Sequence, residues 1–310
     1  MDLILMLLLA LAIDLTIGEY PTAFHPTVWS GRLAGALIQP GLKLPWSLQL
    51  IYGIAISLSI ITLFTVSAWL ILGFLMGIDH WLFVFTGALI LKPAFCLAQQ
   101  WRVARKTRAV VESEAPVPPG MEGLFNTVNY NQPATRGEIA SASIRSIAEN
   151  ASDFVTAPLF YFVFLGVPGA VAYRVINTLD NMIGYRGKFE YLGKFAARLD
   201  DVVSFIPARI TALLFVASAG LRRAGASQAW RTMIADHGLT PGPNGGWPMA
   251  AAAGALGVKL YKTGHYELGS SFVEPPIDKI TEAVSLYRLS MFTWIGVCLM
   301  ALAVAAALRG

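Results

Sequence analysis

Charge is scarce in this chain. Asp, Glu, Lys and Arg make up 14% of its 310 residues, where about 25% is usual for a soluble domain. Only two cysteines are present, Cys96 and Cys298, both in apolar runs, which argues against a disulfide framework. The four histidines (His25, His80, His237 and His265) stand apart, without the short spacing of zinc ligands. No Gly-Lys-Ser/Thr closes a glycine-rich loop, and no GxGxxG follows a strand, so the familiar nucleotide signatures are missing. The net charge of +4 comes with no basic stripe interleaved with aromatics, which excludes a nucleic-acid partner. Internal repeats and low-complexity tracts are absent, and so is strand-like alternation, which leaves a helical reading.

Apolar residues are what the chain has in excess. They make up 55% of it, and mean hydropathy is +0.59. Such a chain needs a solvent other than water, and the expectation is an all-α, polytopic integral membrane protein. A span needs about 20 mostly apolar residues. Leu50–Met76, Trp81–Ala98 and Met291–Leu308 (closed by Arg309) qualify. Leu3–Ile17 is short and carries Asp14. With Asp2 directly after Met1 and no small-residue cleavage site, it reads as a retained helix and not a signal peptide. Phe154–Tyr173 is interrupted at Gly166-Val167-Pro168-Gly169, so it either crosses once or re-enters. Ile206–Leu221 carries Arg209, which is costly in lipid unless it faces protein or a cavity. In all, about four to six membrane helices are expected, some broken or re-entrant.

The chain reads as one integral membrane domain, 1–310. Three polar blocks, 101–153, 174–205 and 222–290, are expected to build the site from helical loops. Residues 1–100 hold only three basic groups, Arg32, Lys43 and Lys92. Arg102, Arg105, Lys106 and Arg108 then follow together, as a cytoplasmic flank would. The first polar block also contains the proline-rich passage 115–120 and a helix expected over about Gly137–Asn150.

Four clusters are candidates for chemistry. Asp14 and His25 flank a Gly/Pro turn after the first helix, either as a helix exit or as part of a surface site. Glu149 and Asn150, near Arg145 at i, i+4 spacing, form a polar knot at a membrane boundary. Arg174, Asn177 and Asn181 share one helical stripe with Asp180 beside it. Tyr185, Arg198 and the Asp200-Asp201 pair come next. Neighbouring carboxylates repel unless a cation intervenes. Mg2+ is commonly held by a few carboxylates together with phosphates, and arginines fork onto phosphate or carboxylate. An ion-pair network holding helices together is the competing explanation. The fourth cluster is Asn244-Gly245-Gly246-Trp247 before Pro248, a glycine loop leading into a helix and so a candidate anion site.

Taken in order, these stretches resemble the CbiB/CobD family of adenosylcobinamide-phosphate synthases. The resemblance rests on His25-Pro26 with Gly31-Arg32, Ser146 to Asn150, Ala157-Pro158 with Tyr161, and Pro168 to Arg174. It continues through Asn177-Thr178 with Asp180, Gly184-Tyr185, Arg198 with Asp200-Asp201, Pro207 with Arg209, and Pro243-Asn244 to Pro248. It covers most of the chain, from about residue 14 to residue 260.

The resemblance implies an amide-forming ligase of cobalamin assembly. Such an enzyme joins the free carboxyl of adenosylcobyric acid, a corrinoid, to the amine of an aminopropanol phosphate, with ATP as co-substrate and Mg2+. On that reading Asp180, Asp200 and Asp201 are candidate metal ligands. Glu149, Asn150, Arg174, Asn177, Arg198 and Arg209 are candidate catalytic residues. Asp14, His25, Tyr185, Asn244, Gly245, Gly246 and Trp247 are candidate substrate or phosphate contacts. The expected location is the cell membrane with the site loops cytoplasmic, either as a homo-oligomer or beside other cobalamin-assembly membrane proteins. An AmpE-like relative without catalysis and a transporter of a polar anion are the rival readings. The transporter reading is weakened by the lack of two related halves.

Overall fold

The computed structural model describes residues 1–113, 134–223 and 225–308. The proline-rich passage 115–120 and Arg309 lie outside them. The chain forms two compact units, each built from separated stretches. The first comprises Met1–Cys96, Ala157–Ser204 and Gly296–Gly310, and the second Leu97–Thr156 and Phe205–Ile295.

In the first unit, α1 (Asp2–Thr16) is the short helix expected at the start of the chain. It is followed by α2 (Pro26–Gly41), with Pro26 in its first turn, where a missing N–H costs nothing. Helix α3 (Trp46–Met76) is a 31-residue apolar rod. At about 1.5 Å per residue it exceeds the bilayer's hydrocarbon thickness of roughly 30 Å, so it fits with tilt. Ile51, Leu58, Leu63, Trp69 and Phe74 stand exposed along it, as side chains facing lipid tails would. Helix α4 (His80–Leu91) starts at Asp79, whose carboxylate accepts from the Leu82 N–H at 2.8 Å and satisfies one of the helix's orphan donors. Ala34 and Ile38 of α2, Ile56 and Ile60 of α3, and Leu179 and Ile183 further on pack into one core.

Polar break points give the second unit its shape. Helix α5 (Ala98–Ser113) carries the basic run. Helix α6 (Arg136–Ala151) opens with a reciprocal capping box between Thr135 and Glu138, as Thr-x-x-Glu before an apolar stripe foretells. A wide turn, Ser152–Thr156, leads out of it. Helices α9 (Phe205–Leu221), α10 (Ala226–Asp236) and α11 (Gly246–Leu256) pack together. Beyond them lies a two-stranded antiparallel hairpin, β1 (Leu260–Lys262) with β2 (Tyr266–Leu268), in register Leu260↔Leu268. It departs from the all-helical expectation. Three-residue strands are too short to show alternation, and this one is held from outside: the Ser141 hydroxyl bridges the Tyr261 backbone, 3.0 Å to its carbonyl and 2.8 Å from its N–H.

Helix α7 (Ala157–Ile183) contains the break expected in Phe154–Tyr173. Gly166 sits at φ 66°, ψ −160°, open to glycine and strained for other residues. The rings of Tyr161 and Tyr173 stack with centroids 5.5 Å apart. In a straight helix twelve residues would separate them by about 18 Å. The chain therefore folds back on itself at Gly166. Phe164 and Leu165, at the tip, are exposed.

Helix α8 (Lys194–Val203) follows α7, and α12 (Lys279–Ala307) closes the chain. Among the described residues four helical stretches are long and apolar enough to cross a membrane. They are Trp46–Met76, His80–Ser113, Arg136–Ile183 and Lys279–Ala307, with a fifth if the bent pair α8–α9 is one span. The protein is thus a mostly helical membrane protein with four or five candidate spans among the described residues, the bent pair α8–α9 forming a broken or re-entrant one.

Candidate functional site

The first unit holds two charged clusters. At the end of α1, Asp14 is fully buried, and its Oδ1 lies 3.0 Å from Lys92 Nζ. Lys92 is itself buried and also donates to Glu19 Oε1 at 2.7 Å. The other Glu19 oxygen faces His25 Nε2 at 3.2 Å. Burial alone would raise the Glu19 carboxyl above its ordinary 4.5, but hydrogen bonds from His25 and Lys92, and the Lys92 charge, hold it at about 2. Beside it, burial and then the Glu19 charge push the Tyr20 phenol up to about 12. Its hydroxyl donates to the Leu89 carbonyl at 3.0 Å.

The second cluster forms where α7 meets α8. Arg174 Nη1 donates to Asn177 Oδ1 at 3.3 Å, and Asn181 Nδ2 reaches the Asn177 carbonyl at 2.8 Å. The stripe read from sequence is real. Asp180 and Asp200 lie close enough for their charges to act on one another, and Asp201 adds a third negative charge. One Asp200 oxygen accepts from Ser204 at 3.4 Å. The other, Oδ1, is buried and meets no donor at good hydrogen-bond geometry among the described residues, although the Asn177 side chain lies close enough to favour the charged carboxylate. Tyr173 shares a hydrogen bond with Ser204 at 3.0 Å, and Tyr161 donates to the Val203 carbonyl at 2.9 Å. The folded-back helix thus pins the end of α8 beneath the carboxylates. Asp201 pairs with Arg198 at 3.4 Å near the surface, where Arg198 is 76% exposed. Tyr185 is exposed in the following loop.

In the second unit, Arg209 of α9 meets the Asn244–Trp247 loop. Its Nη1 donates to Asn244 Oδ1 at 3.2 Å and to the Phe205 carbonyl at 2.7 Å. The guanidinium lies over the Phe205 ring at 3.3 Å and the Trp247 ring at 4.7 Å. Aromatic faces stabilise a cation there. The Trp247 Nε1 is buried with no hydrogen-bond partner among the described residues. The loop's glycines have a packing reason: a Cβ on Gly246 would come within 1.9 Å of the His237 carbonyl, and one on Gly245 within 3.1 Å of Glu149 Oε1. Glu149 opens to solvent at this place, with Arg145 and Lys262 as the cations that act on it. Arg145 also reaches the Tyr266 hydroxyl at 3.1 Å, while Asn150 donates to Gln100 at 3.0 Å and to Ser146 at 3.1 Å.

Comparison with known proteins decides among the classes such clusters allow. The family described as CobD/Cbib protein matches residues 7–307. The chain belongs to the CobD/CbiB family. A cobalamin biosynthesis protein CobD of Dehalococcoides mccartyi is 40% identical over 269 residues, covering 87% of each chain. Probable cobalamin biosynthesis proteins CobD from Thermococcus kodakarensis and Methanothermobacter thermautotrophicus are 36% and 35% identical, over 96% and 92% of this chain and 95% and 93% of theirs. No solved structure matches. The protein is therefore a member of a cobalamin biosynthesis family, which implies an enzyme.

Within this CobD/CbiB chain the sequence candidates fall into three groups. Arg174, Asn177, Asp180 and Asp200 come together, with Asp201 and Arg198 beside them on α8. Arg209 joins Asn244 and Trp247, and Gly245 lies against Glu149. Asp14 and His25 belong to the Lys92–Glu19 network. Sequence reasoning missed Lys92, which looks like an ordinary flanking residue, because its acids lie more than seventy positions away. It also missed His237, whose ring lies 3.9 Å from the Trp247 ring and whose Nδ1–H donates to the carbonyls of Met233 and Ile234.

Two nearby carboxylates with an unsatisfied buried oxygen fit Mg2+, which takes few protein ligands and completes its shell with water and phosphate. Among the described residues no group of three or more His, Cys, Asp or Glu side chains could hold a metal by itself.

Proposed function

We propose that this chain is the amide-forming ligase that joins adenosylcobyric acid to an aminopropanol phosphate, making adenosylcobinamide phosphate at the expense of ATP. The observation that carries the reading is the Asp180–Asp200 pair, like charges gathered beside Arg174 with one oxygen left unsatisfied, in a chain that matches the family over nearly its whole length. Such an arrangement costs stability unless a cationic ligand repays it.

A carboxylate does not react with an amine until an oxygen becomes a leaving group. The corrinoid carboxylate attacks the γ-phosphorus of ATP and ADP departs. The amine nitrogen then attacks the acyl carbon and inorganic phosphate leaves. Asp180 and Asp200, with Asp201 beside them, would hold Mg2+, which when bound offsets the negative charge of the transferring phosphoryl group. Arg174 and Arg198 clamp phosphate or carboxylate oxygens, and Asn177 keeps the Arg174 guanidinium aimed. Glu149 takes the proton released by the incoming ammonium, and Asn150 holds its helix to Gln100. Arg209, Asn244 and the Gly245-Gly246-Trp247 turn bind an anionic group of a substrate. Tyr185 serves as a further substrate contact, while Asp14 and His25, tied to Lys92 and Glu19, hold the end of α1 in place. The three polar blocks face the cytoplasm, where ATP is found.

The test is turnover by the purified protein in detergent, with adenosylcobyric acid, aminopropanol phosphate, ATP and Mg2+. Amide product and ADP in equal amounts are expected. Binding of these ligands without product sinks the ligase reading, and gradient-driven uptake in vesicles without product would replace it with transport.

A further inference from the structure

A recess of about 690 Å³ between α5 and α12 in the second unit has no part in the chemistry above. It brings together three arginines, Arg105 and Arg108 from α5 and Arg288 from α12, with the hydroxyl residues Thr281 and Ser285. Its volume lies within the usual range for small-ligand sites, roughly 300–1,000 Å³. The charge balance is uneven. Arg108 pairs with Glu112 at 2.7 Å and also donates to the Thr281 hydroxyl across the helix pair. Arg105 has no ion pair among the described residues, and neither does Arg288. Glu112 is the only acid on the wall among the described residues, so two positive charges remain in excess there.

The remaining wall is apolar, including Ala109, Val284, Leu289 and Phe292. Trp101 extends it: its ring lies 6.4 Å from Phe292 and 5.3 Å from the Arg288 guanidinium. A cytoplasmic flank needs only basic residues near the membrane. It does not need arginines from two helices, separated by 180 residues of chain, around one recess with hydroxyls and an aromatic shelf.

We infer that this recess binds a phosphate-bearing ligand through Arg105, Arg108 and Arg288, with an apolar or aromatic part of the ligand on the Trp101–Phe292 side. Arginine is suited to the task because its planar fork meets phosphate oxygens two at a time. Two excess charges match a phosphate better than a single carboxylate. Two ligands share this chemistry: a nucleoside triphosphate and an anionic phospholipid. Only the nucleotide assignment rests on the ligase reading.

The experiment uses the full-length protein purified in detergent, as wild type and as Arg105→Gln, Arg288→Gln and the double variant. One arm measures equilibrium binding of ATP, with inorganic pyrophosphate as competitor. A second measures retention of phosphatidylglycerol against phosphatidylcholine by native mass spectrometry. Each charge removed is expected to weaken the true ligand about tenfold, and added salt to weaken it further. The thermal midpoint should hold, since neither arginine has an ion pair to lose, and Arg288→Lys should restore part of the affinity. Loss confined to ATP makes the recess the nucleotide site, and loss confined to phosphatidylglycerol makes it a headgroup site. Unchanged binding of both ligands in the double variant overturns the inference. Because binding is read directly, failure here leaves the turnover assay to judge the ligase reading separately.

Discussion

At the end of α1 two acids meet a lysine, and between α7 and α8 acids meet one another. The difference separates architecture from function. Lys92 is 0% exposed and lies 3.0 Å and 2.7 Å from Asp14 and Glu19. Each charge there has an opposite partner, and His25 completes the chain of contacts. At Asp200 the charges that act are those of Asp180 and Asp201, of the same sign; only the neutral side chains of Asn177 and Ser204 support it among the described residues, and one buried oxygen has no donor at good geometry. Desolvated charges are costly in either setting. The first cluster recovers the cost internally. The second holds it in reserve, as a group that must bind a cation or a phosphate-bound metal would.

The largest effect separating the two should come from Lys92→Met. Removing one partner of a buried ion pair costs about 3–5 kcal/mol, and here two carboxylates lose their partner at once. A fall in thermal midpoint is expected in detergent, with a loss of folded yield. A variant that melts with wild type would reduce the network to an incidental contact. Asp14→Asn in the same background should recover part of the loss, because it removes one stranded charge.

Asp200→Asn should do the reverse. It keeps the shape and removes one of three like charges, so the midpoint should stay or rise. Turnover should fall by about a hundredfold or more, roughly 2.7 kcal/mol of lost transition-state stabilisation. Normal turnover, or a large drop in stability, would make the α7–α8 cluster a structural network like the first.

How far each cluster could be read from sequence follows from the same contrast. The stripe of Arg174, Asn177 and Asn181 lies on a single helix, so a period of 3.6 residues displays it. Asp200-Asp201 is visible as a pair in the text of the chain. Helices α1, α3 and α12 show as apolar runs, and α6 as the helix expected over about Gly137–Asn150. The Lys92 network depends on partners 73 positions apart, which no local pattern reports. Gly166-Val167-Pro168-Gly169 announced a break, but only the dihedral angles at Gly166 decide that the helix returns. Arg209 was expected to need a partner in a membrane. It finds rings and an amide, Phe205, Trp247 and Asn244, which charge counting does not reveal.

A smaller, graded difference should appear with acid. The Glu19 carboxyl is held at about 2 in the folded protein, against an ordinary 4.5. A group lowered on folding adds stability above its unfolded value and loses it as pH falls through the folded one. Stability from this network should therefore be flat from neutral pH down to about 4.5 and decline from there towards 2. Glu19→Gln should remove that part of the decline. A variant with the wild-type acid profile would mean that the slope comes from other carboxylates.

The smallest effect is expected at the rim of the second cluster. Arg198 pairs with Asp201 at 3.4 Å, but the arginine is 76% exposed. Exposed pairs of this kind contribute about 0–1 kcal/mol, and helical ones about 0.3–0.5. Arg198→Ala should therefore leave the thermal midpoint within about 1–2 °C of wild type. Its influence on turnover then becomes informative. If Arg198 clamps a phosphate, the Michaelis constant for the phosphorylated substrate should rise severalfold at constant stability, and rising salt should shrink the gap between variant and wild type. If it only accompanies Asp201 on α8, both kinetic constants should stay put, and the functional part of the cluster would narrow to the buried carboxylates.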